Sequence, residues 1–330
     1  MKILVIQTAF IGDAILGTAM LEKLHHAYPA AKIDYLVRKG NENLFTAHPY
    51  LHELLVWDKG SHKMANLWAM ARYIRKGHYD YVVNAHRHIS SAFLTLYSGA
   101  QHRFGFDSSL LSVFFTKRYP HDIGNGRHET ERNQDLIREI TDEHTAKPRL
   151  YPSKTDEAKV SLLLNSEPGA GIPYCCLAPA SVWFTKQFPE EKWMGWIRQK
   201  PQPTERIFLI GAASDAALCE RIRTACPSFP ITSLAGKLTL LESAALMKGA
   251  RMNYVNDSAP MHIASSMNAP VTAIFVSTVP RFGFGPLSDK QAIIETKEKL
   301  TCRPCGLHGF KSCPKKHFKC ATTIAVETIH

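Results

Sequence analysis

No apolar run in this chain approaches the roughly 18–20 residues that carry a helix across a bilayer, which excludes an integral helical membrane protein. A secretory leader is lacking as well: Met1–Gln7 is too short for one and reads as a first strand, so the chain is expected in the cytoplasm. There is no Gly-Lys-Ser/Thr behind a glycine-rich turn, which excludes a Walker phosphate loop. Neither a dense basic arm nor an RNA-binding signature is present, which sets nucleic acid aside as a partner. Acid is the scarcer charge, with 29 Asp and Glu against 40 Lys and Arg for a net +11, the 16 histidines uncounted. Such a balance suits an anionic partner, either a phosphorylated substrate or an anionic membrane, or else a merely basic surface.

What is there is a globular composition, 45% hydrophobic and 21% charged over 330 residues, long enough for two domains. Apolar runs alternate with helix-periodic stretches, which predicts parallel sheets covered by helices. Strands are expected at Lys2–Gln7, Ile33–Val37, Leu54–Trp57 and Tyr79–Asn84. Helices are expected from Ala14 to Leu24, near Glu42–Ala47, at Met64–Lys76 and His88–Ser98, and as one long element from His128 to Ile140. The pattern weakens around Glu167-Pro168-Gly169-Ala170-Gly171, a hinge composition, and then restarts. The reading is an α/β chain of two Rossmann-like domains, 1–165 and 166–330, with a cleft between their sheets for ligands.

Met252–Ser265 organises the second half: a short strand, a polar turn at Asn256-Asp257-Ser258, then a helix with Pro260 in its first turn. Ser258 is a fitting N-cap. Unpaired N–H groups and the helix dipole at such a start favour an anion. Asp257 suits sugar hydroxyls, so the stretch reads either as a nucleotide-diphosphate pocket or as an ordinary capped helix. In the first half, Ile11-Gly12-Asp13 places an acid just after the first strand. Asp13 is there a helix cap or a general base, although a helix start by itself lowers a carboxyl pKa and weakens it as a base. Ala178–Pro189 carries Ser181, Thr185 and Lys186, a set of hydroxyls beside a point charge that suits phosphate. Asp215, at another strand-to-helix turn, either meets the ligand or caps its helix.

The tail holds Cys302, Cys305, Cys313 and Cys320 with His308 and His317 nearby. Its first half has zinc-ligand spacing and its second is loose, which leaves metal binding and packed thiols both open. Basic pieces of the first half that follow strands, including Arg87, Arg127 and His128, can hold an anionic acceptor or stand as solvated surface.

Taken together, Ile11–Leu16, His128–Asn133, Thr185-Lys186 before Phe188-Pro189, Asn256–His262 and Cys302–Gly309 resemble the ADP-heptose:lipopolysaccharide heptosyltransferases, glycosyltransferase family 9, over nearly the whole chain. The resemblance implies a GT-B fold, the acceptor domain first and the nucleotide-sugar domain second. It implies inverting transfer of heptose from ADP-heptose to an inner-core sugar of lipopolysaccharide. In that frame Asp13 is the base and Lys186 neutralises the ADP leaving group. Ser181, Thr185, Asp215, Asp257, Ser258, Ala259, Pro260 and His262 bind the nucleotide sugar. Gly12, Arg87, Arg127 and His128 serve the acceptor. No metal or other cofactor is implied. The acceptor is anionic and lipid-anchored, which places the chain at the cytoplasmic face of the inner membrane. Val182, Trp183 and Phe184 make the Lys186 loop more apolar than the family's pattern. A nucleotide-sugar binding protein without turnover, a transferase using another nucleotide sugar, and a phosphosugar epimerase of the same fold are the competing readings.

Overall fold

A computed structural model of the chain describes residues 1–167, 169, 171–200 and 205–329; part of the expected hinge, Pro168 and Ala170, lies outside them. Contacts divide the chain into two compact units, Met1–Tyr151 and Pro152–His330. The division precedes the 165/166 boundary expected above, because the helix at Lys154–Ser166 belongs by packing to the second unit: Lys159 pairs with Glu242 there at 2.8 Å.

In the first unit the strands are β1 (Lys2–Gln7), β2 (Lys32–Arg38), β3 (Leu51–Trp57), β4 (Tyr81–Asn84), β5 (His102–Phe106) and β6 (Lys117–Tyr119). Its helices are α1 (Ile11–Ala27), α2 (Lys63–Lys76), α3 (Ile89–Tyr97) and α4 (Glu129–Asp135). All six strands are parallel, in the order β3-β2-β1-β4-β5-β6. The second unit adds α5 (Lys154–Ser166), β7 (Tyr174–Ala178), α6 (Glu190–Gln199), β8 (Arg206–Leu209), α7 (Ala216–Ala225), β9 (Ile231–Ser233), α8 (Leu240–Gly249), β10 (Asn253–Asn256), α9 (Ala259–Ser266), β11 (Val271–Phe275), β12 (Gln291–Glu295) and α10 (Lys319–Thr322). Its sheet is also parallel, ordered β12-β11-β10-β7-β8-β9.

Each unit is therefore doubly wound, with the strand order reversing at one place: beside β1 and β4 in the first, beside β7 and β10 in the second. Loops leaving the carboxyl ends of those two strands diverge to opposite faces and open a crevice. That topology decides where ligand-binding side chains collect.

The central strands are continuous apolar runs because both sheet faces are covered. Leu4, Ile6, Leu36, Val82 and Leu94 share one fully buried cluster in the first unit. In the second, Trp193 meets Phe188 and Trp196 edge-on at 5.0 and 5.8 Å. Burying each such side chain contributes about 1.5–3 kcal/mol. The interior also fixes α1: Tyr35 donates to the Ala14 carbonyl at 2.8 Å, and a β-carbon at Gly17 would run into that hydroxyl.

Two expected helices are shorter in the structure. Near Glu42 only one 3-10 turn forms, Glu42–Leu44. The long helix from His128 ends at Asp135, and Leu136, Ile137 and Ile140 continue it as a string of i→i+3 turns. Gln134 ends it by bonding both the N–H and the carbonyl of Ala146 with its side chain, which pulls the following segment back across the turn.

Candidate active site

The crevice of the first unit lies beyond β1 and β4. Asp13 sits in the first turn of α1, after the N-cap residue Phe10, and so is not the cap. Gly12 precedes it in the same turn, where the backbone carries no side chain. The Asp13 carboxyl is pushed up to about 7: burial is the main cause and the negative charge of Glu129 adds to it. Arg87 and the N–H groups of Phe10 and Asp13 pull the other way and do not prevail. Desolvation thus outweighs the helix-start effect that would have kept Asp13 acidic, and the carboxylate becomes basic enough to take a proton near neutral pH.

Arg87 is exposed after β4, on the other side of the strand reversal. The neighbouring His86 ring stands 2.9 Å from the Thr8 hydroxyl and is pushed down to about 3 by burial and then by Lys59, so it stays neutral. Lys59, which follows β3, donates to the Thr8 carbonyl at 2.8 Å and lies over the Trp57 ring at 4.6 Å. Burial lowers its pKa to about 8. No local motif marks Lys59 in the sequence; its side chain reaches Thr8, beyond β1, from the far side of β2.

Glu129 is held between two partners, with His121 at 3.1 Å and Arg132 at 2.7 Å. Burial works to raise its pKa, but those two partners leave it lowered, so it stays ionised beside Asp13. The two other first-unit candidates are engaged elsewhere. His128 accepts from the Thr130 N–H at 3.1 Å and caps α4, and Arg127 forms a two-point pair with Asp135 at 2.7 and 3.1 Å.

The crevice of the second unit repeats the plan with opposite contents. Lys186 follows β7, Asp257 follows β10, and the two pair across the reversal at 2.8 Å, both largely buried. Thr278, after β11, donates to the same Asp257 oxygen. Asn256 laces the edge together, accepting from the Phe188 N–H at 2.9 Å and donating to the Pro179 carbonyl at 2.8 Å. Gln187 closes the loop by donating to the Ser181 carbonyl at 2.6 Å. Ser258 occupies the N-cap position of α9, but its hydroxyl turns back to the Asn256 carbonyl at 3.3 Å and caps nothing. Ala259 and Pro260 form the first turn, and His262 is buried one turn further on. Among the described residues no side-chain hydrogen bond caps this start, where Pro260 carries no N–H and the Met261 N–H closes onto the Ser258 carbonyl at 3.0 Å. Asp215 is spent locally, since its carboxylate accepts from Ala212 at 2.8 Å and Ser214 at 3.3 Å in its own turn.

Residues 67–308 match the model of glycosyltransferase family 9 (heptosyltransferase). The chain belongs to that family. It is 25% identical to lipopolysaccharide heptosyltransferase 1 of Pseudomonas aeruginosa over 92% of this chain and 86% of that protein. Among solved structures it is similar to a family 9 glycosyltransferase from Veillonella parvula, with a TM-score of 0.79 and 25% identity over 89% of this chain and 86% of that one. It also superposes on Escherichia coli ADP-heptose lps heptosyltransferase II, with a TM-score of 0.77 and 20% identity over 97% of both chains. The fold is GT-B, and the protein is a glycosyltransferase.

In this family 9 chain the tail packs against the Lys186 loop. Thr185 donates its N–H to the Phe310 carbonyl at 3.1 Å, and the Phe310 N–H donates to the Thr185 hydroxyl at 2.8 Å. Gly309, with φ of +78°, leaves no room for a β-carbon, which would lie 2.9 Å from that hydroxyl. Arg303 binds the carbonyls of Val276 and Thr278 at 2.8 and 2.7 Å. All eight cysteines are free thiols. Cys302 lies 3.7 Å from His317, yet among the described residues no three ligand atoms of the tail gather within 4.8 Å. The set that does gather so closely is Asp34, His52 and Glu53, where Asp34 is already bonded by Lys2 at 3.2 Å and Tyr79 at 2.6 Å. No described helix is long and apolar enough to cross a membrane.

Proposed function

We propose that the chain transfers heptose, with inversion, from ADP-heptose to an inner-core sugar of lipopolysaccharide. The acceptor hydroxyl attacks the anomeric carbon of the donor and passes its proton to the Asp13 carboxylate. The bond from that carbon to the diphosphate breaks, and its electron pair leaves on ADP. Lys186 turns from Asp257 to the departing phosphate, and the positive end of the α9 dipole takes a second share of its charge. Thr185 and Ser181 border the phosphates, while Asp257, released from Lys186, receives sugar hydroxyls. Arg87 and Lys59 supply the positive field for an anionic acceptor at the edge that holds Asp13.

The observation that carries this reading is Asp13: a carboxyl raised to about 7 at the strand reversal of the first unit. A carboxylate with that affinity for protons, in the first turn of α1 beside the ionised Glu129, suits a general base. The relatives named for lipopolysaccharide heptosyltransfer and for ADP-heptose support the choice of substrates.

Calorimetry with ADP, UDP and GDP, followed by a transfer assay with ADP-heptose and a truncated inner core, tests it. ADP should bind selectively, and heptose should appear on the acceptor. Preference for UDP or GDP would sink the heptose donor. ADP binding without transfer would leave a nucleotide-sugar binding protein.

A further inference from the structure

The crossover from β5 to β6, residues 107–116, is built inside out. In a surface turn the large apolar side chains should face the protein and the serines the water. Here Ser109 and Ser112 are buried, whereas Leu110, Val113 and Phe114 are 81%, 62% and 61% exposed. The inversion is held firmly. The Ser112 hydroxyl donates to the Asp107 carbonyl at 2.8 Å, and the Phe114 and Phe115 N–H groups close turns onto Leu111 and Ser112 at 3.2 and 2.9 Å. Of the large apolar side chains here Phe115 is the buried one and Leu111 is half-buried; the Phe115 ring lies over Gly105, where a β-carbon would not fit. The segment is thus anchored beneath and presents a rigid apolar tip above. Lys117 and Arg118 follow it at once, both exposed, against Asp107 and the Glu139 that pairs with Lys117 at 2.8 Å.

We propose that this crossover is a membrane-docking element, inserting Leu110, Val113 and Phe114 into the boundary of an anionic lipid surface while Lys117 and Arg118 meet its headgroups. The chemistry fits lipid better than a protein partner. Three side chains projecting from one turn make a point of insertion and not a groove, and cations border them on a chain of net charge +11. Exposed apolar area of this kind, rigidly displayed, marks an interaction site. The inference deepens the reading of a lipid-anchored acceptor given above, but it stands or falls separately, because lipid binding needs neither donor nor turnover.

Co-sedimentation of the full chain with phosphatidylglycerol/phosphatidylethanolamine vesicles, against phosphatidylcholine vesicles, is the test. The wild type should sediment with the anionic vesicles. Leu110→Ser/Phe114→Ser should bind them at least about tenfold more weakly, with ADP binding and melting temperature unchanged. Equal vesicle binding by that variant would overturn the proposal. So would a wild-type dimer in analytical ultracentrifugation that the variant dissolves while vesicles bind neither, since the tip would then be a self-association surface. Should the double variant fold poorly, Val113→Trp decides. Its fluorescence should shift to the blue on anionic vesicles, and an unshifted spectrum refutes insertion.

Discussion

Asp13 and Asp257 both border the reversal of strand order in their units, from opposite sides of it: Asp13 stands in the first turn of α1 after β1, Asp257 directly after β10, the counterpart of β4, and their electrostatics are opposite too. Asp257 is matched at once by Lys186 at 2.8 Å and by Thr278. Among the described residues Asp13 has no side-chain cation at bonding distance: burial and the ionised Glu129 work against its charge, and Arg87 and two backbone N–H groups offset them only in part. One βα turn therefore yields either a carboxylate held as an anion or one ready to accept a proton. What chooses is the surroundings: β7 brings Lys186 into contact with Asp257, whereas at Asp13 burial and Glu129 of α4 outweigh the exposed Arg87 after β4.

The contrast is broken most severely at Asp13. Asp13→Asn should lower kcat by about 10²–10⁴-fold, the usual range for a lost general base, while ADP affinity in calorimetry stays unchanged. A variant that turns over normally would move the base elsewhere. Lys186→Ala should weaken ADP binding by about 10–100-fold and, by stranding Asp257, destabilise the fold by on the order of 3 kcal/mol. Adding Asp257→Asn should recover much of the stability but none of the affinity. Recovery of both would reduce Lys186 to a structural partner.

The pH behaviour sharpens the comparison. Turnover should fall with decreasing pH below about 7 as Asp13 takes up its proton. Stability runs the other way for this group. Its folded pKa is above the unfolded 3.8, so the folded state holds the proton more tightly. The contribution to stability is therefore fullest below the unfolded value and declines as pH rises toward about 7. Asp13→Asn should accordingly melt higher than wild type at pH 8 and no higher at pH 4, and the same difference at both would refute the assigned shift. Asp215→Ala is the mildest case: loss of a turn cap costs about 1 kcal/mol, with nucleotide affinity unmoved. A marked loss of ADP binding there would return Asp215 to the ligand site.

How far the chain could be read in advance follows from where each signal resides. The inner strands announced themselves as apolar runs because both their faces are buried. β5, β6 and β12 did not: His102-Arg103-Phe104-Gly105-Phe106 breaks its apolar pattern with charge and glycine, and Lys117–Tyr119 is a three-residue edge. β12 likewise exposes four of its five residues. At the site, Asp13, Lys186 and Asp257 stood out through local turn chemistry. Their regulators did not, since Glu129 reaches Asp13, and Thr278 reaches Asp257, only through tertiary packing. Arg127 and His128 illustrate the converse, being locally suggestive but committed to Asp135 and to the cap of α4.

The union of Thr185 with Gly309 and Phe310 has a practical corollary for redesign. Segments that are distant along the gene here form one inheritable part, so a donor-loop graft from a homologue should succeed only when its own tail travels with it. Shuffled libraries that cut between the two would discard functional combinations for reasons that neither segment reveals alone.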